Sequence, residues 1–85
     1  MSHHLIDRLT ARVSHWRTAE AEDKERLRDY QHRLLALRQL SPRPHGSIDL
    51  ALRQCKAVRK TLQNATHTLA VCRRHLREMA GAALP

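Results

Sequence analysis

The second half of the chain carries the clearest pattern. Ile48, Ala51, Cys55, Val58, Leu62, Ala65, Leu69, Cys72, Leu76, Met79 and Ala83 recur at alternating intervals of three and four residues. No charged residue interrupts this seam. Apolar positions at that spacing fall on one stripe of an α-helix, so the segment predicts a long helix packed lengthwise on another helix. The first half follows the same rule through Ile6, Leu9, Val13, Trp16, Glu20, Asp23, Leu27, Tyr30, Leu34 and Leu37, with two carboxylates in the middle of an otherwise apolar stripe.

Proline and glycine divide the two patterns. Neither occurs from Met1 to Ser41, and then Pro42, Pro44 and Gly46 fall within five residues. The residue before a proline avoids helical geometry, so helix one is expected to end near Leu40. Ser47 stands where it would cap helix two, with Asp49 in the first turn, where a negative charge meets unpaired amides. Gly81 is placed to close that helix in the left-handed conformation after Arg73, Arg74 and Arg77. Ser2 is a weaker cap for helix one.

The expected fold is therefore all-α, an antiparallel two-helix hairpin of coiled-coil type. It forms a single domain over residues 1–85, with helix one at about 3–40, a loop at 41–46, helix two at about 47–80 and a tail at 81–85. Folding about the loop sets Leu37 by Ala51, Leu34 by Cys55, Trp16 by Cys72 and Leu9 by Met79. Small residues then face large ones across the seam.

Glu20 and Asp23 admit three explanations. They mark a wet layer or slight bend where helix one lifts from its partner, or a break near residues 18–21 that makes two helices of it, or a contact with basic residues of a bound protein. Unpaired burial is excluded, because a lone carboxylate in a dry core costs several kcal/mol.

Composition limits how far such a hairpin can support itself. The chain has 85 residues with one Trp, one Tyr and no Phe, so the core is aliphatic and thin. A chain this short buries a smaller fraction of its surface than a 150-residue domain does. The hairpin is expected to complete itself as a four-helix bundle, against a partner protein or, alone, against a second copy. The surface available for this is the uncharged flank of helix two, Leu50, Gln54, Ala57, Thr61, Asn64, Thr68 and Val71.

Charge adds a second surface. Sixteen Lys or Arg face eight Asp or Glu, and the excess is concentrated in residues 41–85, at +6 against +2 for residues 1–40. Arg53, Lys56, Arg59, Lys60, Arg73, Arg74 and Arg77 form a basic stripe on helix two. It is broken between Lys60 and Arg73 by about 20 Å of helix. The cations of helix one are interleaved with acids and offer no groove continuous with that stripe. An acidic protein or phosphate could use it. Against nucleic acid stand the absence of interleaved aromatics, of a recognition-helix pattern and of zinc-finger spacing.

Little else points to chemistry. Cys72 and His75 lie one turn apart, but no third ligand or oxyanion-stabilising loop accompanies them, and Cys72 belongs to the seam. Cys55 and Cys72 stand about 25 Å apart along one helix and cannot bridge. The seven histidines show no ligand spacing. No catalytic residue, cofactor or metal is expected, since a two-helix rod supplies no convergent cleft. No apolar run approaches the length that spans a bilayer, so no membrane insertion is expected. Two unpaired thiols without a leader sequence suggest a reducing cytoplasm. The function expected is a non-catalytic protein–protein interaction module, acting as adaptor, small chaperone or inhibitor. The alternative is a nucleic-acid-binding helical dimer using the basic stripe.

Overall fold

The computed structural model describes residues 2–82, and the side chains from His4 to Ala82. The tail at 83–85, with the seam position Ala83, and the side chain of Ser2 lie outside the described residues.

Two helices make up the fold, α1 (Ser2–Arg38) and α2 (His45–Ala82). They pack along their lengths as an antiparallel hairpin, a rod of 68 × 15 × 14 Å. The seam residues turn inward as their spacing requires: Leu9, Leu34, Ala51, Cys55, Val58, Ala65 and Leu69 are all buried. One hydrogen bond anchors the register, with Thr66 Oγ1 donating to Glu20 Oε2 at 2.8 Å. Residues of α1 and α2 whose numbers sum to about 86 therefore stand level, within one turn of the expected pairing.

The helix ends differ from expectation. α1 stops at Arg38, and the chain then tightens, with Gln39 N–H donating to Ala36 C=O and Leu40 N–H to Leu37 C=O, both at 3.2 Å. These three-residue bonds satisfy carbonyls that a helix end would leave open. Arg38 lies in the last turn, where a cation suits the negative end of the helix.

α2 starts two residues before Ser47. Pro44 occupies the boundary, and its carbonyl accepts the Ile48 N–H at 3.0 Å. A proline suits this place because it has no N–H to leave unpaired and its φ already lies near the helical value. Ser47 is thus inside the first turn rather than capping it, and Asp49 lies beyond that turn, which contains no acid. Gly81 does not take the left-handed conformation, since no glycine has positive φ. Nothing lies within 4 Å of where its Cβ would be. No neighbour forces a turn there, and α2 runs on to Ala82, leaving Arg73, Arg74 and Arg77 short of its final turn.

α1 is continuous through residues 18–21, which removes the break as an explanation of Glu20 and Asp23. The two carboxylates are instead partnered within the chain. Asp23 is only 6% exposed and receives Arg26 Nη1 on Oδ1 at 3.3 Å. Glu20 binds Thr66 across the hairpin and Lys24 Nζ at 3.6 Å on its own helix. Among the described residues no buried side-chain nitrogen or oxygen lacks a hydrogen-bond partner.

Candidate interaction surfaces

A hairpin of two straight helices has two long sides, one on each flank of the seam, and the residues around Glu20 show which positions share a side. Glu20 takes Thr66 from α2 and Lys24 from α1, and the positive charge of Arg73 on α2 acts on it as well. Lys24, Thr66 and Arg73 therefore lie on one side of the rod. The hydrogen bond from Thr66 is the main cause that holds the Glu20 carboxyl below its ordinary pKa; partial burial opposes it, and Lys24 and Arg73 reinforce it.

Helical spacing carries this side along both elements. On α1 it comprises the exposed cations Arg17, Lys24, Arg28 and Arg38. On α2 it comprises Lys56, Arg59, Arg73 and Arg77, also exposed. Among the described residues Asp7 and Asp49 are its only carboxylates apart from the half-buried Glu20, so eight cations oppose two acids, or three when Glu20 is counted. The expectation that α1 offers no basic surface continuous with α2 is thereby corrected. In the register set by Glu20 and Thr66, Arg17 stands level with about residue 69 and Lys24 with about residue 62, inside the interval where the stripe on α2 is broken. Arg53, Lys60 and Arg74 of that stripe face outward from the back of α2 instead.

The opposite side is different in kind. Its α2 half is the uncharged flank, in which Leu50, Ala57, Thr61, Asn64 and Val71 are exposed while Gln54 and Thr68 are half-buried. Leu50 and Val71 keep 49% and 40% of their surface in water. The bordering α1 positions mix Arg8, Arg12, Arg26 and Arg33 with Glu22 and Asp29, and Glu78 on α2 brings the whole side close to neutral.

A surface depression of about 350 Å³ lies on α2 and is lined by His67, Ala70, Val71, Arg74 and Arg77. All five residues come from one helix, so this is a surface trough rather than a cleft between elements. It brings together no nucleophile and acid–base pair. Among the described residues no three His, Cys, Asp or Glu side chains are grouped to hold a metal, and no helix is long and apolar enough to cross a membrane. Cys55 is buried, but Cys72, expected to be equally enclosed, is partly exposed, as are Leu76 and Met79 further along α2.

No protein family, curated protein or solved structure matches the chain, so its function is argued from these surfaces alone.

Proposed function

We propose that the chain is a non-catalytic protein–protein interaction module that packs lengthwise on another helical surface through the uncharged side of α2. The observation that carries this reading is the incomplete cover of the seam. With the hairpin closed, Trp16, Tyr30 and Met79, the seam residues that border this side, remain partly exposed. Leu50 and Val71 extend that apolar surface along the neutral side. Two further helices laid on this side would make a four-helix bundle of coiled-coil type and enclose those residues.

Charge selects the side. Two copies meeting through their basic sides would bring sixteen cations together, whereas two neutral sides meet with little repulsion. A second copy is therefore the occupant when no other partner is present, and an adaptor, chaperone or inhibitor role follows when another helical protein competes for the same side. Two free thiols fit a reducing compartment such as the cytoplasm.

Crosslinking tests the assignment of the side. With Cys55 and Cys72 replaced by Ala, a single thiol at Asn64→Cys on the neutral side should be captured as a covalent dimer by a short bismaleimide. A thiol at Lys60→Cys on the back of α2 should not. Equal yields at the two positions would reject the neutral side as the interface.

A further inference from the structure

We infer that the basic side of the hairpin, built jointly by α1 and α2, is a binding surface for the phosphate backbone of double-stranded DNA. This inference does not rest on the self-association proposed above, which uses the other side.

The argument begins with continuity. On α2 alone the cations fall into two groups separated by about 20 Å. Antiparallel docking places Arg17 and Lys24 in that interval and Arg28 beside Arg59, and Arg38 prolongs the row toward the loop. From Arg77 to Arg38 the track runs about 43 Å at 1.5 Å per residue, with no interval longer than about 12 Å. That is somewhat more than one turn of duplex, over which the phosphates of both strands come within reach of a straight rod.

The chemistry of the track favours a polyanion over an acidic protein. Protein interfaces centre on apolar or aromatic anchors with charge at the rim. Here charge occupies the whole length, and the exposed large apolar side chains on this side, Leu35 and Leu52, stand together at the loop end. Such a surface binds chiefly by releasing counterions from a dense row of phosphates.

Two further observations select the form of nucleic acid. Single strands are held by stacking bases on aromatic rings, but Trp16 and Tyr30 are seam residues, half-buried between the helices. Duplex RNA is gripped through its ribose 2′-hydroxyls. The threonine hydroxyls on this side donate within the hairpin instead, Thr10 to the Ile6 carbonyl and Thr66 to Glu20, both at 2.8 Å. Cationic contact with B-form phosphates is the chemistry this side offers most densely, and it carries no base readout.

The test measures binding of the full chain to a labelled 24-base-pair DNA of mixed sequence by fluorescence anisotropy. Affinity for the duplex is expected to fall log-linearly with salt, by roughly a thousandfold or more between about 50 and about 200 mM if six or more phosphates are engaged. Arg17→Glu with Arg28→Glu, both on α1, should weaken binding at least about tenfold and make the salt slope shallower by about two. Arg53→Glu with Arg74→Glu changes the net charge equally on the back of α2 and should cost less than about threefold. Circular dichroism reports whether each variant is helical; should the Glu pair unfold, Arg17→Gln with Arg28→Gln takes its place. Equal losses from the two pairs would show attraction to net charge without a site and overturn the proposal. Absence of binding would also overturn it, as would binding of single-stranded DNA, duplex RNA or polyglutamate as tightly as the DNA duplex.

Discussion

Leu69 and Leu62 are consecutive leucines of one seam in very different surroundings. Leu69 is 2% exposed within a single hairpin, so truncation leaves a cavity that neighbours cannot fill without moving. Leu69→Ala is expected to destabilise the fold by about 2 to 5 kcal/mol. Leu62 is only half-buried, and Leu62→Ala should cost clearly less at protein concentrations where the hairpin is alone. Denaturant unfolding of both variants at low protein concentration checks this. Equal costs at low concentration would show that the central layer is closed by the hairpin itself. The spacing of the seam identified both leucines as inward positions. It could not rank their burial, because which seam residues are enclosed depends on how closely α2 approaches α1 at each level.

At the scale of elements, the two helices and their antiparallel turn were legible from Pro42, Pro44 and the two stripes. Less legible were the ends of α2. Ser47 looked like a cap by residue type, but Pro44 starts the helix earlier; Gly81 looked like a stop, but nothing packs against it to require one. The carboxylates of Glu20 and Asp23 were recognised as a departure from the stripe, yet their partners belong to three-dimensional neighbours. Thr66 is not a seam residue and became visible as the partner of Glu20 only once the helices were docked.

That link between elements has a pH signature. Glu20 is held below its ordinary pKa of 4.5 in the folded chain, chiefly by the Thr66 hydroxyl. A carboxyl with a depressed folded pKa contributes stability above its unfolded pKa and loses that contribution as pH falls through the folded value. Thermal unfolding should therefore show the Glu20 contribution in full at pH 6 and lose it progressively below about pH 4.5. Glu20→Gln should make the decline in melting temperature on acidification shallower than in the wild type, and Thr66→Val should do so in part. A decline of unchanged steepness in Glu20→Gln would mean that the carboxylate is not coupled to folding.

At the scale of the whole molecule, the rod has one side dense in cations and one nearly neutral side with exposed Leu50 and Val71. This division was not legible while the two helices were read separately. The cations of α1 look interleaved with acids along the sequence, but Glu22 and Asp29 belong to the neutral side and Glu25 to the outer back of α1. Only the antiparallel register sorts them, leaving Arg17, Lys24, Arg28 and Arg38 beside the cations of α2. A dimer formed through the neutral sides would leave the two basic sides facing away from one another, so the two proposals concern separate surfaces and can succeed or fail independently.

The central claim is that the neutral side is the surface on which the unfinished core is completed, and sedimentation equilibrium across a wide concentration range tests it most directly. The wild type should pass from monomer to dimer with rising concentration. Val71→Glu places a charge on both halves of a symmetric interface and should shift that equilibrium toward monomer, whereas His67→Glu on the outer face of α2 should leave it unchanged. A wild type that stays monomeric and fully helical at every concentration would contradict the claim, because the hairpin would then need no further cover.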